Sequence, residues 1–233
     1  GKHHGCRQAA IDGHVEIGRR CRALGVDTIV VFDVHWLVNA GYHVNCRERF
    51  QGTYTSNELP HFIKDMAYDY PGDPALGRLI AETASAHGVF TRAHEVASLD
   101  LEYGTLVPMR YMNGDRHFKV VSVAGWCNWH RLDESRRFGE AVVRAIERSD
   151  STVAVLASGS LSHRFNDNGS PEESIHQISD EFYRQVDLRV VDLWRSGDFK
   201  AFCAMLPLYA ETCQGEGKMH DTAMLLGMLG WDG

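Results

Sequence analysis

VDTIVVFDVHWLVN, residues 26–39, is the stretch that decides the fold of this chain. Its apolar run from Ile29 to Phe32 is rich in β-branched residues and ends at Asp33, which predicts a buried strand of a mostly parallel sheet. His35 comes just after it. Because strand carboxyl ends border the ligand crevice of an open α/β sheet, His35 is a candidate functional residue. A lone histidine at a strand end is also common as a packed or solvent-capped side chain.

Strand and helix patterns alternate on both sides of this stretch. Helical spacing of apolar residues predicts helices over residues 6–24, 74–86, 133–148, 172–195 and 199–206, a short helix that begins near Pro108, and a last apolar helix that opens at His220. Apolar or alternating runs predict strands over residues 41–51, 89–96, 118–125 and 152–157. Residues 52–74 lack a sustained period, so we expect a long loop there with a short helix near residues 61–68.

This order predicts one α/β domain over residues 1–233, with a central, largely parallel or mixed sheet flanked by helices. The balance of 24 Lys and Arg against 31 Asp and Glu gives a net charge of −7, without a basic run interleaved with aromatics, so we expect no nucleic-acid partner. Apolar runs stay well short of the roughly 20 residues that span a bilayer, which predicts a soluble protein. Six scattered cysteines without a C-x-x-C pair indicate reduced thiols and a cytoplasmic location.

Polar clusters follow several of the predicted strands. They are His35, Glu102 with Tyr103, and His163 in the run ASGSLSHRF, while His220 and Asp221 open the last helix. Neutral imidazoles with a carboxylate are the ligand set that suits a non-haem Fe(II) centre with open positions. These clusters could converge on one crevice, but their dispersed spacing does not establish a metal site.

The segments GCRQAAIDGH, VDTIVVFDVHWLVN, TSNELPHFI, LEYGTLVPMRYM, TVAVLASGSLSHRF and GEGKMHDTAMLLGMLGW resemble those of a known family. The family is that of the class III extradiol ring-cleaving dioxygenases related to protocatechuate 4,5-dioxygenase. The resemblance runs essentially end to end. It implies a single α/β domain and a reaction that inserts both atoms of O2 while it breaks the ring bond beside a catechol diol.

The resemblance also implies roles for single residues. His35 matches the second iron-binding histidine, and His163 matches the histidine proposed as acid and base near the catechol. A gapless alignment of the last helix puts Asp221 at the carboxylate ligand, with Glu216 as the rival. Tyr103 stands where relatives often carry a histidine, and its phenol would then hydrogen-bond substrate or oxygen. The implied cofactor is Fe(II), with Mn(II) also compatible with such ligands.

The implied partners are O2, a small catechol, most closely one with an acetate side chain, and further copies of the chain in a homo-oligomer. An acetate needs a cationic partner, for which Arg164 is the first candidate and Arg110 the second. His220 is expected either to line the substrate pocket or to serve as a structural hydrogen-bonding residue.

The ends of the chain depart from the family pattern. The family's first iron-binding histidine is expected before Gly1, and relatives continue beyond Gly233, so we expect the natural N- and C-terminal segments to lie outside this sequence. Two alternatives remain open at this point. A metal-free binding protein could use the same fold. A hydrolase is suggested by Ser160 and Ser162, but the G-x-S-x-G pattern fails at His163.

Overall fold

The structure is a computed structural model that describes residues 5–164 and 177–230. The described residues form the strands β1 Thr28–Val38, β2 Tyr42–Asn45, β3 Arg49–Tyr54, β4 Met66–Pro71, β5 Thr91–His94, β6 Lys119–Cys127 and β7 Val153–Ala157. They form the helices α1 Gln8–Ala23, α2 Pro74–Ala86, α3 Tyr103–Met112, α4 Leu132–Ile146, α5 Glu181–Ser196, α6 Phe199–Thr212 and α7 His220–Met228, with a 3₁₀ turn at Glu216–Met219.

The central sheet has the strand order β5-β2-β6-β1-β7. Strand β1 pairs in parallel with β6 and β7, and β2 pairs in parallel with β5 but antiparallel with β6. The predicted mixed, mostly parallel α/β sheet is therefore confirmed, and the stretch VDTIVVFDVHWLVN forms the internal strand β1 between β6 and β7.

Both faces of the sheet are covered, which explains the continuous apolar run of β1. Val30 and Phe32 pack on the face covered by α2, α4 and α7, whereas Ile29 and Val31 pack on the face covered by α1, α3 and the β3–β4 hairpin. A third core joins α5, α6 and α7. Among the described helices, none is long and apolar enough to cross a membrane.

Helices α4 and α7 cross with their backbones almost in contact. A Cβ atom added at Gly139 of α4 would lie 1.9 Å from the Met224 carbonyl oxygen, and one added at Gly227 of α7 would lie 2.1 Å from the Arg136 carbonyl oxygen. Only glycine fits at these two points, so the crossing is fixed from both helices.

Three predictions of local structure were wrong. The expected loop over residues 52–74 is largely the β3–β4 hairpin, in which Met66, Tyr68 and Tyr70 alternate buried with more exposed neighbours. The predicted strand over residues 41–51 is split into β2 and the start of β3. Helix α3 begins at Tyr103 rather than near Pro108, which lies inside it. The predicted helix over residues 172–195 is seen as Glu181–Ser196, and residues 172–176 lie outside the described part.

Candidate active site

Strand β1 carries His35 within its span rather than just after it, because the strand continues past an irregularity between Asp33 and Leu37. Asp33 is fully buried and lies two residues before His35 in the strand. One of its oxygens accepts the His35 backbone N–H at 2.8 Å, and the other accepts the Thr105 hydroxyl at 2.6 Å. These bonds join strand β1, at residues 33–35, to Thr105 of α3. Burial raises the pKa of Asp33 despite them.

Two imidazoles converge on one carboxylate oxygen. Nε2 of His35 and Nε2 of His163 each lie 3.1 Å from Oε1 of Glu216. The Glu216 side chain is 8% exposed, and its other oxygen accepts the backbone N–H of Ser160 at 2.6 Å. The predicted strand-end clusters of β1 and β7 therefore meet, and they meet at Glu216.

Backbone pairing brings these elements together. The loop after β7 lies beside the segment before α7: the His163 N–H donates to the Gln214 carbonyl at 2.9 Å, and the Glu216 N–H donates to the Leu161 carbonyl at 3.2 Å. An antiparallel bridge joins Ser162 to Gly215. The position of Glu216 opposite His163 is thus set by the main chain.

The three groups shift one another's pKa values. Burial of Glu216 favours its neutral form, but the hydrogen bonds of His163 and His35 outweigh burial and hold the Glu216 pKa well below its ordinary range. Burial of His35 likewise favours neutral imidazole, and the Glu216 carboxylate overcomes this and raises the His35 pKa. The hydrogen bond with Glu216 raises the His163 pKa. The site therefore holds a charged carboxylate in a mostly buried position.

Asp221 does not lie at this cluster. It is fully buried, its Oδ2 accepts the Gly159 backbone N–H at 2.7 Å, and burial raises its pKa to about 7. The predicted ligand role of Asp221 has no support in these contacts, whereas the rival, Glu216, directly faces His35. The 3₁₀ turn before α7 directs the Glu216 carboxylate at His35 of strand β1.

Tyr103 lies against His35, with ring centroids 3.8 Å apart, but its phenol is already engaged. The hydroxyl donates to Glu58 Oε2 at 2.9 Å, and burial followed by this contact raises the Tyr103 pKa. A role for the phenol toward substrate or oxygen stays a prediction. What the contacts support is a side chain that packs on the imidazole of His35 and orients it.

A cavity of about 1040 Å³ opens over the imidazole–carboxylate cluster. His35, His163, Glu216 and His220 all line it. His220 is buried, and its Nδ1 lies 2.8 Å from the Ser135 hydroxyl. It therefore lines the cavity and also makes a structural hydrogen bond. Arg164 is exposed and is not among the lining residues, and its predicted contact with a substrate carboxylate stays a prediction.

The backbone beside Glu216 is unusual. Gly217, Lys218 and Met219 all have positive φ, between 54° and 62°, and Gln214 has φ of 52°. Each non-glycine residue in this left-handed region costs about 1–2 kcal/mol. Conformations of this kind persist where the surrounding structure enforces them, and they cluster at functional sites.

His35 and Glu216 fit a divalent metal by donor chemistry. An imidazole nitrogen and a carboxylate oxygen 3.1 Å apart match the spacing of about 3 Å between neighbouring ligands of an octahedral ion with bonds of about 2.1 Å. Across residues 5–164 and 177–230, no group of three or more His, Cys, Asp or Glu side chains is placed to hold a metal. The pair would therefore leave several positions of the metal for other ligands.

Sheet, cavity and cluster together define an α/β protein with a histidine–carboxylate centre at the carboxyl edge of its parallel strands. A family profile described as the catalytic LigB subunit of aromatic ring-opening dioxygenase matches residues 1–233. The chain belongs to this family of ring-opening dioxygenases, and membership implies a metal cofactor. It also favours a dioxygenase over the hydrolase and the metal-free binding protein.

Individual relatives agree with the family. The chain is 63% identical over 232 residues to 3,4-dihydroxyphenylacetate 2,3-dioxygenase of Escherichia coli, which covers all of this chain and 84% of that protein. It is 24% identical over 202 residues to the 2-aminophenol 1,6-dioxygenase beta subunit of a Pseudomonas species, covering 82% of this chain and 66% of that protein. A crystal structure of an uncharacterized Escherichia coli K12 protein shares the fold, with a TM-score of 0.61 at 15% identity over 94% of this chain and 81% of that one.

Sequence reasoning missed two residues beside the cluster. Asp33 supports the His35 backbone, and the period of two along a strand, which puts residues 33 and 35 on one face, was an available signal. Glu58 binds the Tyr103 phenol from the loop between β3 and β4, within the stretch that was predicted as a loop. No local signal marks Glu58.

Proposed function

We propose that this protein cleaves 3,4-dihydroxyphenylacetate beside its diol, using O2 and Fe(II), to give 5-carboxymethyl-2-hydroxymuconate semialdehyde. Both oxygen atoms enter the product and one ring carbon–carbon bond breaks, so the reaction needs no external reductant. The observation that carries the proposal is the convergence of His35 and His163 on Glu216 in a member of the ring-opening dioxygenase family.

We assign the metal to His35 Nε2 and Glu216, with Glu216 in place of Asp221. When bound, the metal would orient the catechol oxygens and O2 and bring redox chemistry to the ring. Tyr103 packs on the His35 ring and orients it, and Asp33 positions the His35 backbone.

His163 is the residue we assign to proton transfer. Its Nε2 faces the same carboxylate oxygen as His35, and its side chain is 36% exposed where it lines the cavity, so a catechol hydroxyl can reach it. Once its hydrogen bond to Glu216 is released, the neutral imidazole would accept a proton from the hydroxyl at Nε2 and return it later in the reaction.

The test is to load the metal-free protein with Fe(II) under nitrogen, add 3,4-dihydroxyphenylacetate, and admit air. We expect a yellow ring-opened product that depends on both the metal and O2. Parallel samples with Mn(II) and with Mg²⁺ test the choice of metal, because Mg²⁺ supplies charge without redox chemistry. A parallel sample with 2-aminophenol tests the substrate of the more distant relative.

Product with Mn(II) but not with Fe(II) would overturn the iron assignment and keep the reaction. Turnover of 2-aminophenol without turnover of 3,4-dihydroxyphenylacetate would overturn the substrate. If the metal binds and neither compound reacts, the proposed function is wrong.

We also propose a cytoplasmic homo-oligomer. All six cysteines are free thiols, and five of them are buried, as expected in a reducing compartment. Light scattering of the metal-loaded protein measures the assembly, and a monomer mass would contradict this part of the proposal.

A further inference from the structure

The cavity over the cluster is lined by cationic side chains that have no part in the chemistry proposed at His35 and Glu216. Arg131, Arg136 and Lys218 all line it. The substrate of the proposed function carries a carboxylate in addition to its diol, and such a group needs a cationic partner when it enters a cavity. A cation can bind the substrate carboxylate only if carboxylates of the protein do not already neutralise its charge.

Two of the three cations have acidic neighbours. Arg136 pairs with Asp133 at 2.8 Å and with Glu140. Arg131 is exposed at the start of α4, where its charge contributes to lowering the pKa of Asp133. The positive field of both side chains is therefore partly cancelled on this wall of the cavity.

Lys218 differs from Arg136, which is ion-paired, and from Arg131, whose charge acts on Asp133. Among the described residues, no carboxylate lies within ion-pairing distance of the Lys218 ammonium group, although the side chain lines the cavity. Its charge acts on His220, whose pKa is lowered to about 4 by burial, then by His130 and by Lys218. The ammonium group of Lys218 therefore lines the cavity without a neutralising carboxylate, near the neutral imidazole of His220.

The backbone fixes where Lys218 stands. Its N–H donates to the Gly215 carbonyl at 3.0 Å, and its φ of 54° lies in the left-handed region. Gly217, immediately before it, packs so closely on Val34 that an added Cβ would lie 2.8 Å from a Val34 methyl carbon. Val34 directly precedes His35 in the sequence, and Gly217 directly follows Glu216. The contact between them therefore keeps the Lys218 backbone close to the cluster.

We propose that Lys218 binds the carboxylate of the substrate's side chain and thereby selects carboxylated over uncharged catechols. This role replaces the one predicted for Arg164, which lies outside the cavity lining. The inference rests on the proposed function, because it needs a catechol whose diol occupies the His35–Glu216 end of the cavity.

The experiment compares kcat/KM for 3,4-dihydroxyphenylacetate with kcat/KM for 4-methylcatechol, which keeps the diol and lacks the carboxylate. In Lys218→Met, which keeps side-chain length without charge, we expect the ratio to fall by about 10- to 100-fold, the usual value of a hydrogen bond to a charged group. Lys218→Arg should keep the ratio near that of the wild type. Lys200→Gln removes an exposed lysine outside the cavity lining and should change nothing.

Lys218→Gly guards against a folding artefact, because glycine adopts a positive φ without strain. It should lose selectivity as Lys218→Met does. An unchanged ratio in both variants would overturn the proposal, as would a larger fall in Arg164→Gln or Arg131→Gln than in Lys218→Met.

Binding measured by calorimetry under nitrogen separates this inference from the proposed function. If the wild type turns over neither catechol but binds 3,4-dihydroxyphenylacetate more tightly than 4-methylcatechol, and Lys218→Met removes that preference, the proposed function fails and the Lys218 site stands. If the wild type turns over both catechols and Lys218→Met keeps its binding preference, the function stands and the Lys218 site fails.

Discussion

Glu216 and Asp221 lie five residues apart, on either side of one turn, and their surroundings shift their pKa values in opposite directions. Each is buried, and each accepts a backbone N–H from the loop after β7, Ser160 for Glu216 and Gly159 for Asp221. Glu216 also faces two imidazoles, and its pKa lies well below the ordinary range. Asp221 faces none, and its pKa is raised to about 7.

The difference shows that burial alone does not decide whether a carboxylate is charged. A buried carboxylate stays charged when cationic or hydrogen-bonding partners outweigh its desolvation, and takes up a proton when they do not. A ligand has to be charged when the metal arrives. The surroundings of Glu216 favour its charged form, whereas those of Asp221 favour its neutral form.

Replacing Glu216 with Gln should have the largest effect. The amide keeps the shape and removes the charge, so we expect metal content to collapse and turnover to fall by more than about 100-fold. Asp221→Asn is the matched control, and it should retain its metal. Metal analysis of both purified variants is the measurement, and metal loss confined to Asp221→Asn would reverse the assignment.

His163→Ala should come next. It removes the proposed proton carrier while His35 and Glu216 remain, so turnover should fall by about 100- to 10,000-fold with little change in metal content. Steady-state kinetics alongside metal analysis separates the two effects. Activity equal to that of the wild type would refute the role of His163.

Asp221→Asn should change the pH dependence of stability. Because the folded-state pKa of about 7 exceeds the ordinary aspartate value of 3.8, the folded protein binds more protons than the unfolded chain between these values. Asp221 thus lowers the free energy of unfolding as pH rises through this window, by up to about 1.4 kcal/mol per pH unit. Relative to the wild type, Asp221→Asn should gain stability from pH 4 to pH 7 in urea titrations, and a constant difference would contradict the raised pKa.

Gly159→Ala should have the smallest effect. The added Cβ would lie 2.7 Å from Asp221 Oδ2, so the carboxyl group must shift, at a cost of about 1–3 kcal/mol. The loss should appear in thermal unfolding. In the Asp221→Gly background, where the obstructing side chain is absent, the same change should cost much less, and an equal cost in both backgrounds would place the clash elsewhere.

The central sheet could be predicted from the sequence because β1 and β6 are buried on both faces. Strands buried in this way have continuous apolar runs in the sequence. The prediction failed at the β3–β4 hairpin, where a period of two in Met66, Tyr68 and Tyr70 was obscured by the prolines and glycines around it. It failed also at the start of α3, where Pro108 lies inside the helix rather than near its first turn.

At the site, strand-end position pointed correctly to the region where His35 and His163 meet. The carboxylate between them was harder to identify, because the left-handed turn after Glu216 is not a feature that residue spacing reveals. No sequence signal marked Lys218, because only the folded structure shows whether a carboxylate lies close enough to neutralise its ammonium group.

The close crossing of α4 and α7 also bears on how substrate enters. Backbone amides near Gly139 and Gly227 should be among the slowest in the chain to exchange hydrogen with solvent, because the two helices must separate before water reaches them. Since α4 carries the cavity-lining residues Asp133 and Arg136 and α7 carries His220, the crossing holds two parts of the cavity lining together. Glu58, which is exposed in the loop between β3 and β4, also lines the cavity, and such a loop can move without separating the two helices.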